Sequence, residues 1–254
     1  MPPDPTRGAP APALRARLSA MMFLQYAIWG AWLPILFPFL LWHRAFTFDE
    51  VSMIFAAGAV GAIIGPFIAG QIADRSFATE RFLALSHLAG AVLVWFLAEV
   101  ESFRLFLALS LVYGLVYAPT LALTNSLSFH HLPDRDRDFG RVRVWGTVGW
   151  IAAGIAVGHY LRLAHTPDAG PDVVAAAQNA GRAGAFRLSA VLGLLLSAYC
   201  LTLPVKPLTT ARPVSSRRSR TASGAASKKS RAARAVRCIC AAARRRTPSG
   251  SPSP

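Results

Sequence analysis

Acidic side chains are scarce in this 254-residue chain: 12 Asp and Glu stand against 27 Lys and Arg, and none follows Asp172. None of the acids falls deep inside an apolar segment, so no carboxylate is placed to carry a proton through the middle of a span. Charge of either sign is thin. At 15% of residues it lies well under the roughly 25% of a soluble domain, which excludes an ordinary water-soluble globule. Cysteine is almost absent, with three residues. Cys200 sits in an apolar run and reads as packing. Cys238 and Cys240 form a lone C-x-C without the four ligands of a structural zinc site, and on a cytoplasmic tail they stay reduced. No aromatic residue follows Tyr199, so the C-terminal stretch has nothing to stack on nucleic-acid bases.

What the chain has is apolar length. Hydrophobic residues make up 54% and mean hydropathy is +0.40. Apolar segments recur at 18–42, 48–73, 82–98, 104–127, 144–161 and 186–205, each near the ~20 residues that cross a hydrocarbon core. The pattern predicts an all-α membrane protein of six transmembrane helices with both termini on one side. The first segment is too long for the ~7–15-residue core of a signal peptide, and reads as a permanent span. Pro34 and Pro38 lie within it, and each removes a backbone donor and bends a helix.

Charge placement sets the expected orientation. Loops on the N-terminal side carry nine arginines, at 7, 15, 17, 75, 81, 135, 137, 141 and 143, against five on the other side, at 44, 104, 162, 182 and 187. The excess of positive charge marks the cytoplasmic face, so both termini are expected there. Residues 1–17 read as a disordered cytoplasmic lead and 18–205 as the membrane domain. From Lys206 to Pro254 the composition changes to Arg, Ala, Ser and Pro, with 13 basic residues and no acid. Such a segment cannot bury enough apolar surface to fold alone. Its monotony is what GC-rich DNA yields out of frame, which favours a frameshifted continuation. A polybasic patch on anionic lipid, at about 1 kcal/mol per basic residue, is the other reading, ahead of attraction to nucleic acid.

Two stretches carry polar chemistry into this apolar frame. After the second segment comes Gly70-Gln71-Ile72-Ala73-Asp74-Arg75, with Arg81 six residues on. Gly70 would let helices approach closely. Asp74 at a helix C-terminus is disfavoured by the macrodipole, making Arg75 and Arg81 its expected partners. The second stretch places Arg143, Thr147 and Trp150 at i, i+4 and i+7, on one helical face. Arg143 keeps its charge at any useful pH and costs at least about 2.5–3.5 kcal/mol inside a bilayer. It therefore faces a protein interior or a wet cavity, or else snorkels to the interface from the start of its helix.

G-x-x-x-D-R at the exit of a second membrane helix resembles the loop signature of the major facilitator superfamily, although residues 76–80 replace its usual glycine and basic continuation. The runs Gln25-Tyr26-Ala27-Ile28-Trp29-Gly30-Ala31-Trp32-Leu33 and Arg143 to Trp150 look like the first and fifth helices of that superfamily's nucleoside:proton symporter branch. The resemblance spans about 18–205, the N-terminal six-helix half of a twelve-helix bundle. It implies a transporter of the bacterial inner membrane rather than an enzyme, with no cofactor. It also implies a nucleoside site lined by Arg143, Thr147 and Trp150, with Trp where Phe is more familiar. The coupling acids belong to the other half in that family. The chain is therefore expected to be truncated or to work as a homodimer; the alternative is a non-transporting membrane fragment whose basic tail binds lipid or nucleic acid.

The remaining polar residues are weaker signals. Gln25 is a candidate for a cavity hydrogen bond. Asn125 either lines the cavity or caps the fourth helix. His130 and His131, with Asp134, Asp136 and Asp138, read as a solvated loop rather than a metal site, and His87 and His159 as packing or interfacial residues.

Overall fold

The computed structural model describes residues 12–74, 79–132 and 134–203; the basic tail and residues 75–78, with Arg75 of the loop motif, lie outside them. The described residues are helical. Helix α1 covers Pro12–Pro38 and continues through a wide π turn, Phe39–His43. It is followed by α2 (Phe48–Asp74), α3 (Thr79–Glu99), α4 (Phe103–His131), α5 (Arg135–Ala164), α6 (Pro171–Gly181) and α7 (Ala183–Cys200). Among the described residues, six stretches are long and apolar enough to cross a membrane, the last formed by α6 and α7 together.

The helices run past the ends of the apolar segments where polar residues stabilise extra turns. Helix α5 begins at Arg135 rather than at 144: Asp134 accepts a hydrogen bond from Arg137 N at 3.2 Å, and Asp136 and Asp138 occupy the first turn. Carboxylates there meet free N–H groups and the positive end of the helix dipole. Residues 130–132 thus end one helix and residues 134–138 begin the next, rather than forming the solvated loop expected. Helix α6 starts on Pro171, whose missing N–H costs nothing at that position, and carries Asp172 in its first turn.

Helix α1 runs α-helically through Pro34, and its geometry changes after Pro38. The turn after Pro38 opens to π geometry, with Arg44 N donating to Phe39 O at 3.0 Å. Two arginines secure it. Arg44 Nη2 donates to Ala98 O at 2.5 Å and its guanidinium lies 5.1 Å from the Phe39 ring centroid. Arg182 donates to Pro38 O at 3.4 Å and lies 5.1 Å from the Trp42 ring centroid. Burial pulls the Arg44 guanidinium below its ordinary pKa, and the carboxylates of Glu101 and Glu99 push it back.

Helix α1 packs along α5 and α7, α2 along α4, and α3 along α7 and α4, whereas α4 touches α1 and α5 sparsely. Apolar side chains gain little by leaving lipid for protein, so close backbone approach and interhelical hydrogen bonds must hold such a bundle together. Both are present. A Cβ on Gly61 would meet the Gly114 backbone at 2.5–2.8 Å, and one on Gly30 or Gly149 would strike the backbone of Trp150 or Phe23 respectively. Ser189 Oγ donates to Ile28 O at 2.9 Å and Ser197 Oγ to Ala84 O at 2.7 Å. The core centres on Phe39, whose ring lies 4.4 Å from that of Phe186 and 6.3 Å from that of Phe106. Large apolar side chains on α2, such as Ile63 and Phe67, point outward, as do Val144, Trp145 and Ile151 on α5.

Candidate functional site

The sparse contact between α1 and α4 leaves a cavity of about 460 Å³ walled by α1, α2 and α4. Its aromatic wall comes from Trp29 and Trp32 on α1 and Tyr113 and Tyr117 on α4. These rings form a continuous stack. Tyr113 lies on Tyr117 at 5.3 Å and 15°, Tyr117 on Trp29 at 5.3 Å and 28°, and Trp32 meets Tyr113 edge-on at 5.4 Å. Helix α2 contributes an apolar side in which Ile54 and Phe55 stand beside the smaller Gly58, Ala59, Ala62 and Pro66. The only amide in its lining belongs to Asn125, whose Oδ1 is buried without a hydrogen-bond partner among the described residues. Asn125 thus lines the cavity; α4 continues to His131 and needs no cap there.

Helix α5 contributes no part of this wall, but it reaches the wall's aromatic edge. Trp150 meets Trp29 edge-on, with centroids 6.5 Å apart and planes at 86°. Arg143 is half-buried and stands 4.1 Å from the Tyr26 ring centroid on α1. Gly146 makes this contact possible, since a Cβ there would meet Tyr26 Cδ2 at 2.6 Å and Arg143 Nη1 at 2.9 Å. A desolvated cation over an aromatic face is stabilised by about 2 kcal/mol or more, part of the cost of bringing the charge in. Because α5 starts at Arg135, Arg143 is more than two turns inside the helix, about 12 Å from its first residue. Thr147 is exposed and Trp150 half-buried on the same helix. Arg143 and Trp150 therefore flank α1 beside the cavity, linked to it through Trp29.

Gln25 lies outside the cavity lining, and its Oε1 is buried without a hydrogen-bond partner among the described residues. It is fully buried, its Nε2 donates to Thr120 Oγ1 at 2.9 Å, and its backbone carbonyl accepts from Tyr117 Oη at 2.5 Å. It ties α1 to α4 behind the aromatic wall. The loop motif is also placed differently from expectation. A Cβ on Gly70 would meet nothing within 4 Å; the close approach of α2 to α4 falls at Gly61 and Gly65. Asp74 ends α2 and Arg81 is exposed on α3, while Arg75 and the side chain of Asp74 fall outside what the structure describes.

Sequence reasoning placed Asp138 in a solvated loop and missed its role. Its carboxylate is buried between Arg15 at 3.8 Å and Arg141 at 3.9 Å, joining the starts of α1 and α5. The i, i+3 spacing to Arg141 was the available signal. His87 is buried in α3, edge-on to Tyr117 at 5.8 Å, which agrees with its reading as packing. Among the described residues, no group of three or more His, Cys, Asp or Glu is placed to hold a metal ion.

Comparison with known proteins places this geometry. Residues 13–223 match the family described as nucleoside H+ symporter, a match that runs past the change of composition at Lys206. The chain is 41% identical over 194 residues to the putative nucleoside transporter YegT of Escherichia coli K12, covering 76% of this chain and 43% of that protein. It is 36% identical over 200 residues to the xanthosine permease of the same organism, covering 77% and 44%. The fold matches a crystal structure of the nucleoside transporter NupG with a TM-score of 0.67 at 25% identity, over 76% of this chain and 45% of that one. The chain thus spans under half the length of these relatives, as the N-terminal half of a major facilitator-type bundle. On the extent of the family match and these identities, the chain belongs to the nucleoside H+ symporter family.

Proposed function

We propose that this chain supplies one half of a nucleoside transport pathway, with proton symport as the driving reaction of the whole transporter. Carrying this reading is its relation to nucleoside transporters over 76% of its length. The arrangement of the site is compatible with it. Arg143 offers charged donors to ribose or base oxygens, Thr147 a hydroxyl, and Trp150 an aromatic surface that continues through Trp29 into the cavity. The pathway lies in the bacterial inner membrane and is closed by a second six-helix bundle, either a second half or a second copy of this chain.

Binding tests the substrate assignment. With the chain in lipid nanodiscs, Arg143→Ala is expected to weaken uridine binding by about 10- to 150-fold, the worth of a charge-assisted hydrogen bond of about 1.5–3 kcal/mol. Helix content should not change. Uridine binding equal to that of the unaltered chain would make Arg143 a structural cation only.

Both termini are proposed to face the cytoplasm. With Cys238 and Cys240 replaced by Ser, a membrane-impermeant maleimide applied to intact cells should label Ser102→Cys and Ala169→Cys but not Asp136→Cys. The reverse pattern would invert the topology.

A further inference from the structure

Helices α4 and α5 form an antiparallel hairpin pinned where the rings of Phe129 and Phe139 stack, 4.1 Å apart at 18°. Asn125 lies four residues before Phe129 and Arg143 four residues after Phe139. Because the helices run in opposite directions, both stand on the same side of the pin, each about 6 Å from it along its own axis. Asn125 and Arg143 are therefore at one level of the bundle.

Their chemistry is complementary. A guanidinium only donates, whereas an amide oxygen accepts. Three nearby hydroxyls of α4 donate to its own backbone: Thr120 Oγ1 to Tyr117 O at 2.6 Å, Thr124 Oγ1 to Thr120 O at 2.8 Å and Ser128 Oγ to Thr124 O at 2.9 Å. Asn125 lines the cavity, and its Oδ1 is buried and makes no hydrogen bond among the described residues. A buried acceptor without a partner is costly and is normally met by a ligand or an ordered water. A ribose hydroxyl suits this pair, since it accepts from one neighbour while donating to another.

We infer that Asn125 is a further substrate-binding residue, accepting a hydrogen bond from a ribose hydroxyl at the level of Arg143, and that it sets a preference for ribonucleosides over deoxyribonucleosides. The inference rests on the nucleoside reading proposed above. The base then lies toward the aromatic wall of Trp29 and Tyr117, with the sugar at the polar level.

The test is equilibrium dialysis of the 254-residue chain in nanodiscs against labelled uridine, 2′-deoxyuridine and 3′-deoxyuridine. Uridine should bind more tightly than at least one deoxy analogue by roughly 3- to 10-fold, the worth of one hydrogen bond. Asn125→Leu should abolish that preference by weakening uridine binding while leaving the same analogue's binding unchanged, which also shows the site intact. Asn125→Asp keeps an acceptor of the same shape and should retain the preference. An equal preference in Asn125→Leu, or none in the unaltered chain, overturns the assignment of Asn125 while uridine binding upholds the nucleoside reading. No binding of uridine by the unaltered chain overturns both.

Discussion

Purified 254-residue chain in proteoliposomes, under an imposed pH gradient, is expected to accumulate no labelled uridine above empty liposomes. The cavity is walled by α1, α2 and α4, and alternating access in such folds requires a second bundle to rock against the first. The carboxylates buried among the described residues, Glu80 and Asp138, sit in the first turns of α3 and α5 rather than beside the aromatic wall. A homodimer would close the cavity without placing an acid at its centre. Saturable, gradient-driven accumulation by this product would overturn the half-pathway reading and demand a proton carrier elsewhere in the chain.

Gly149→Leu is expected to eliminate the folded, monodisperse protein. A side chain there strikes the backbone of Phe23 on α1, and backbone cannot turn aside as the end of a flexible side chain can. Overpacking commonly costs about 1–3 kcal/mol; forcing apart the longest helix seam should exceed that. Gly158→Leu is the matched control, since the same atom at that position meets nothing within 4 Å. Both changes raise helix propensity by up to about 1 kcal/mol, so a loss confined to Gly149→Leu isolates the packing of α1 on α5. Thermal stability measured by size-exclusion chromatography should separate the two; equal behaviour would show that the seam tolerates a wider spacing.

The bundle was legible in the sequence because a membrane span is written locally: length and hydropathy identify it without knowledge of its neighbours. Arg143, Thr147 and Trp150 stood out for the same reason, as one helical face. The helix ends were harder. Residues 135–143 are polar, so an apolar scan stops short of them, although Asp134 and the acids behind it make a sound helix start. The remaining differences are non-local. Gln25 ties α1 to α4 because Thr120, 95 positions away, lies beside it. Gly70 and Gly61 are alike in sequence, but only Gly61 faces another glycine across a seam. The cavity is made from three helices whose small and aromatic residues look, one at a time, like ordinary packing.

The dependence of α1 on distant partners has a consequence for biogenesis. At a synthesis rate of about 5–20 residues per second, the segment carrying Gln25 emerges roughly 5–20 seconds before its acceptor on α4, and the backbone notch at Gly30 waits longer still for α5. During that interval the first span sits among lipids with a buried-type amide and several indole rings lacking their eventual neighbours. Helices α2 to α4 can meet earlier, so the order of assembly differs from the order of translation. The first helix made is among the last to be fully enclosed, and an insertase or chaperone that shields polar groups in nascent spans would find its longest-lived client there.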